Sequence, residues 1–194
     1  MTCICRALFP TSRCLFLYRD VVAVAKSVYR LSMVMPTLRL VSLLGSFSGQ
    51  LTRMIVERKG AAGADFCVRL GSELTYGVLV YAVSTSTYLD MRRRGVDVSA
   101  LRYEDLVARP LDACRVLMEF CGLPVSLAER AVTAFDVDSQ RNSILARSVL
   151  ARFKDPQLTP ETKARLNELL KKYGVPLIGE PNILEGTLLC SRPN

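Results

Sequence analysis

The sequence predicts an α/β protein in which an incomplete parallel sheet is flanked by helices, and three observations carry that expectation. Cys14-Leu15-Phe16-Leu17-Tyr18 is a short, apolar, uncharged run, as in a strand covered on both faces of a parallel sheet. A segment with helical spacing follows it at once and a second short strand comes later, so strand, helix and strand recur. A buried strand so close to Met1 leaves no sequence for neighbours ahead of it, which predicts an incomplete sheet and a chain that is part of a larger domain.

Each element has a local reason. Asp20 opens a helix to Leu31, with an acid where the helix dipole favours one and with Val21, Val24, Ala25, Val28 and Leu31 along one face. From Pro36 to Gly71 the glycines at positions 45, 49, 60, 63 and 71 predict short helices and loops. A long helix is expected from Ser72 to Arg94, stopped by Gly95, with Arg92-Arg93-Arg94 suited to its C-terminal dipole. Val98 to Tyr103 alternates as the second strand. Pro110 opens a helix through Cys121 that Gly122 and Pro124 end, and Ser126 with Glu129 has capping-box spacing for a further short one. Thr159-Pro160-Glu161 starts the last helix, which presents Leu166, Leu169, Leu170 and Tyr173 on one face and stops at Gly174. Residues 176–194 read as an irregular tail, and residues 1–194 as a single, partial domain without internal repeats.

Composition narrows the class of function. Half of the 194 residues are hydrophobic and 23% are charged, which excludes a disordered chain. The formal charge of +8 implies anionic partners without choosing among nucleotide, nucleic acid and acidic membrane. No uncharged apolar run reaches membrane-spanning length, because Arg19, Asp20, Lys26 and Arg30 interrupt the greasiest stretch, and Met1 to Phe9 does not read as a signal peptide. The seven cysteines (Cys3, Cys5, Cys14, Cys67, Cys114, Cys121 and Cys190) form no CxxC pair and the chain has no histidine, so they are expected to be free thiols of a reducing compartment rather than zinc ligands. Cys114 and Cys121, two turns apart, are expected in the core.

The stretch that carries chemistry is Phe16-Leu17-Tyr18-Arg19-Asp20 followed by Lys26-Ser27. It sets a guanidinium at the end of a strand, where α/β sheets bind ligands, and a hydroxyl two turns into the next helix. Seven helical residues span roughly 10 Å, a gap that an arginine side chain and a phosphate can bridge. The guanidinium offers a fork of donors and the serine a compact one. The alternative is that Arg19 pairs with a local carboxylate such as Asp20 or Asp105 and Ser27 only packs.

Three segments resemble the sulfotransferases that use 3′-phosphoadenosine 5′-phosphosulfate: Leu17-Tyr18-Arg19-Asp20 with Ser27, then Leu101-Arg102-Tyr103-Glu104-Asp105-Leu106, then Glu119-Phe120-Cys121-Gly122-Leu123-Pro124. Their order and spacing fit, and together they cover roughly residues 8 to 124. The resemblance implies a sulfotransferase-like fold, of the kind built like P-loop nucleoside-triphosphate hydrolases. It also implies that Arg19 and Ser27 bind the cofactor's 3′-phosphate, and that Tyr103, Glu104 and Asp105 serve packing and hydrogen bonding at a strand end. In the family a basic or hydroxyl-bearing loop closes over the same phosphate. Ser139 and Arg141, with Gln140 and Ser143, or else Arg152 and Lys154, are the candidates for it here.

Two departures bear on activity. The family's phosphosulfate-binding loop has no counterpart before Arg19, and the glycine-flanked Gly45-Ser46-Phe47-Ser48-Gly49-Gln50-Leu51-Thr52 puts Gln50 where a Walker-type loop needs lysine. Many members take the acceptor's proton with a histidine, a step worth about 10²–10⁴-fold, and this chain has none; Glu57 and Glu73 are the substitutes that the sequence offers. The expectation is therefore a sulfotransferase-like chain that binds 3′-phosphoadenosine 5′-phosphosulfate or its desulfated product but does not transfer the sulfo group to a hydroxyl or amine acceptor by itself. Cytoplasmic localisation is expected, although the resemblance extends to membrane-anchored Golgi members. Two alternatives are a non-catalytic module for 3′-phosphoadenosine nucleotides and a basic protein associated with RNA or membrane. Nucleic acid is not the expected partner, because no aromatic platform is interleaved with the charges.

Overall fold

The computed structural model describes residues 12–34, 74–137, 143 and 146–190, and within them it is a mixed α/β protein, mostly helical, with a small parallel sheet packed against helices. Strand β1 is Cys14–Tyr18 and strand β2 is Val98–Arg102; they pair in parallel with Cys14 opposite Val98 and Tyr18 opposite Arg102. Between them lie helices α1 (Val21–Val34) and α2 (Thr75–Arg93). After β2 come α3 (Tyr103–Ala108), α4 (Pro110–Cys121), α5 (Leu127–Val132) with a 3₁₀ turn at Thr133–Asp136, α6 (Arg147–Leu150) and α7 (Pro160–Tyr173).

Most helix ends follow from local chemistry. The helix opens at Asp20 as expected, and Asp20 also caps α1, its Oδ1 accepting the backbone N–H of Val22 at 2.9 Å and of Ala23 at 3.0 Å. The helix runs on to Val34, beyond the expected Leu31. Helix α2 closes with Gly95 at φ 71°, where Gly95 N–H donates to Arg92 O and Val96 N–H to Met91 O. Gly122 ends α4 in the same way at φ 70°, in the left-handed region that glycine reaches at least cost. Thr159 caps α7 by accepting the N–H of Thr162.

Four expectations are corrected. Ser126 is not a side-chain cap of α5: its backbone is already helical, and the N–H groups of Leu127 and Ala128 donate to the carbonyls of Pro124 and Val125 instead. Strand β2 ends at Arg102, so Tyr103-Glu104-Asp105-Leu106 opens the short helix α3, whose first turn carries two acids where the dipole favours them. Cys121, the last residue of α4, is exposed, unlike buried Cys114. Among the described residues strand β1 is not covered on both faces, as Leu15 and Leu17 are exposed.

The chain divides into two compact units. The first holds residues 12–19, 87–137 and 183–190. One face of its sheet carries Cys14, Phe16 and Tyr18 with Val98 and Ala100 against Tyr88, Leu89 and Met91 of α2 and Leu184, with the rings of Phe16 and Tyr88 stacked at 4.8 Å. On the other face Leu101 is buried with Leu106 of α3, Ala113 of α4 and Cys190. Leu17 stands beside Leu101 in the register, but α3 and α4 pack on Leu101 while Leu17 is exposed. The segment after Ile183 runs beside β2, where Ala100 pairs with Thr187 in a single parallel bridge. Tyr18 and Tyr88 hold that segment, Tyr18 Oη lying 2.9 Å from Thr187 Oγ1 and Tyr88 O–H donating to Glu185 O.

The second unit holds residues 20–34, 74–86, 143 and 146–182 of the described chain. Here α1 and α2 approach backbone to backbone at Ala25 and Gly77. Leu79 of α2 packs with Tyr76, Val83 and Tyr173 of α7, and Tyr81 O–H donates to Asn182 Oδ1 at 3.0 Å.

Candidate functional site

Register places the site. Because Tyr18 stands opposite Arg102 in parallel strands, the residues that follow each strand, Arg19 on one and Tyr103-Glu104-Asp105 on the other, emerge side by side at the C-terminal end of the sheet. Open α/β sheets bind ligands at this end.

The Arg19 guanidinium lies over the Tyr103 ring, Cζ 4.7 Å from its centroid, and its Nε is 3.9 Å from Glu104 Oε1. The second distance is a charge contact rather than a hydrogen bond. Both side chains are partly open to solvent, at 43% for Arg19 and 35% for Glu104. The carboxylate set beside Arg19 is thus Glu104, whereas Asp20 caps α1 and Asp105 serves other arginines.

Asp105 is the best-enclosed carboxylate of the cluster, with a side chain 14% exposed. Its Oδ1 accepts from Arg102 Nη2 at 3.0 Å and from Arg109 Nη2 at 3.2 Å. The network joins the end of β2 to the corner between α3 and α4, and Arg102 Nε is buried there without a hydrogen-bond partner. The strand ends thus carry two charge groups, Arg19 with Glu104 and Asp105 with Arg102 and Arg109.

The other predicted residues fall as follows. Ser27 is exposed on α1, in the second unit. On the same helix Lys26 Nζ lies 3.4 Å from Asp155 Oδ2, and Arg30 donates through Nε at 2.8 Å and pairs through Nη2 at 2.7 Å with Asp155 Oδ1. That double ion pair ties the segment carrying exposed Arg152 and Lys154 to α1. Ser143 is exposed. Ser139, Gln140, Arg141, the Gly45–Thr52 stretch, Glu57 and Glu73 lie outside the described residues, as do Cys3, Cys5 and Cys67.

Cys14, Cys114, Cys121 and Cys190 are free, and burial pushes the thiols of Cys114 and Cys190 up, so both stay protonated at neutral pH. For Cys190 the nearby Asp105 adds to the rise and Arg109 opposes it. Among the described residues no cluster of cysteine, aspartate and glutamate could hold a metal ion, and no helix is long and apolar enough to cross a membrane.

Sequence reasoning placed Glu104 in a scaffold and did not foresee its contact with Arg19. The signal was available, since Arg19 and Glu104 each follow a predicted strand almost at once and strand ends meet in a parallel pair. The fold and the site define a mixed α/β protein with arginine–carboxylate pairs at the C-terminal end of its strands. Compared with protein-family models, with curated proteins and with solved structures, the chain matches none.

Proposed function

We propose that this chain is a sulfotransferase-like protein that binds the 3′-phosphate of an adenosine nucleotide, 3′-phosphoadenosine 5′-phosphosulfate or its desulfated product, through Arg19 with Ser27. The observation that carries the reading is the position of Arg19 at the end of a parallel strand, its guanidinium resting on Tyr103. A planar fork of donors held at a strand end suits a phosphate, which it meets bidentately. The motif resemblance, in which Leu17-Tyr18-Arg19-Asp20 precedes Ser27, supplies the nucleotide's identity. The finer fold belongs to the same proposal: β1 and β2 are strands of an incomplete sulfotransferase-like sheet, related to P-loop nucleoside-triphosphate hydrolases. Ser139 and Arg141 remain its candidates for the loop over the phosphate.

The nucleotide, when bound, brings the sulfo group; the chain's own residues bind and orient the 3′ end. Transfer to a hydroxyl or amine acceptor by this chain alone is not part of the proposal, because the sequence holds no histidine to take the acceptor's proton. Calorimetric titration of adenosine 3′,5′-bisphosphate into the chain and into Arg19→Ala, with adenosine 5′-phosphate as control, tests the reading. Saturable binding that requires the 3′-phosphate and drops at least tenfold in Arg19→Ala is expected. Equal binding of the two nucleotides, unchanged by the substitution, would sink it and favour non-specific association through dispersed basic residues.

A further inference from the structure

We infer that Glu104 is a built-in competitor for Arg19, an internal carboxylate that holds the affinity of the site down so that a bound nucleotide exchanges, while Tyr103 is the platform that keeps the guanidinium in place. The inference rests on reading Arg19 as the 3′-phosphate ligand.

The geometry carries it. A guanidinium has two faces and three edges, and here one face lies on Tyr103 at 4.7 Å while Nε is turned toward Glu104 Oε1 at 3.9 Å. Both contacts come from the two residues that follow β2, and the β1–β2 register delivers them to Arg19. The edge between Nη1 and Nη2 lies opposite Nε by covalent geometry, and it is one of the two edges through which a guanidinium can meet a phosphate bidentately.

The two neighbours act on such a phosphate with opposite sign. Stacking on Tyr103 fixes the plane of the fork without spending its charge. The Glu104 carboxylate draws on the same positive charge that the phosphate needs and repels the phosphate itself. At 3.9 Å, with both side chains partly exposed, its attraction to Arg19 is modest. Glu104 therefore lowers affinity and speeds release without closing the site.

Titration of adenosine 3′,5′-bisphosphate into the chain and into Glu104→Gln, Tyr103→Leu and Tyr103→Phe tests this, with adenosine 5′-phosphate as the ligand that lacks the 3′ group. Glu104→Gln is expected to bind the bisphosphate about threefold to fivefold more tightly, through slower dissociation, and adenosine 5′-phosphate unchanged. Tyr103→Leu is expected to weaken the bisphosphate about threefold, and Tyr103→Phe, which keeps the ring, to restore it. Tightening of both nucleotides alike in Glu104→Gln would reflect net charge alone and overturn the inference. So would unchanged or weaker binding of the bisphosphate in that variant while the parent chain still binds through Arg19, and the phosphate reading would then stand. If neither the parent nor Glu104→Gln distinguishes the two nucleotides, the reading of Arg19 itself fails and the inference with it.

Discussion

Gly77 and Ala25 meet backbone to backbone: a Cβ built on Gly77 would lie 2.4 Å from Ala25 Cα and 2.9 Å from its carbonyl oxygen. Helix propensity alone would make Gly77→Ala stabilising by about 1 kcal/mol. Contact decides the other way, because the atoms met are main chain and α1 and α2 must separate. Gly77→Ala is expected to destabilise by about 1–3 kcal/mol, read as a lower urea midpoint. Ala25→Gly should not rescue it, since the obstruction is not the Ala25 side chain; an unchanged or higher midpoint in Gly77→Ala would refute the close approach.

Asp105 holds two guanidiniums on one oxygen in an enclosed position. Asp105→Ala leaves Arg102 and Arg109 facing each other without their shared counter-ion, so a loss of about 2–3 kcal/mol is expected. Arg109→Ala, which leaves the pair with Arg102, should cost markedly less. Equal costs in denaturant unfolding would contradict the shared-acceptor arrangement.

Asp155 pairs with Lys26 and Arg30 at partly exposed positions, and solvent screening keeps its contribution modest. Asp155→Ala is expected to cost about 1 kcal/mol and to raise hydrogen exchange in residues 146–159 and along α1. The salt dependence of stability should shrink with it. Exchange that stays unchanged in both segments would mean that the ion pairs do not anchor them.

Burial raises the pKa of Cys114 and Cys190, and of Tyr88 against the opposing influence of Arg92. The folded chain therefore keeps these protons where the unfolded chain has begun to lose them. The stability concerned is fully present below the unfolded values, which begin near pH 8.5 for cysteine, and is lost as pH rises through the folded ones. Urea midpoints should fall from pH 7 to pH 10, and Cys190→Ala should show a shallower fall than the parent. An identical slope in the two proteins would rule out Cys190 as a source.

The sequence by itself determined the elements whose free energy is local. The Asp20 and Thr159 caps, the glycines after α2 and α4, and both strands could be read from residues a few places apart, because the groups that satisfy one another are close in the chain. A local rule failed at Ser126, which has capping-box spacing to Glu129 but a backbone already helical and no side-chain cap hydrogen bond. Tertiary structure alone decided which residues share a surface. The apolar run of β1 does not reveal that Leu15 and Leu17 are exposed while Leu101, beside Leu17 in the register, is buried with residues of α3 and α4. Nor does any spacing assign Asp155 to Lys26 and Arg30. Those pairings arise from strand register and helix packing, where contacts between distant parts of the chain, not the preferences of neighbouring residues, set the energy.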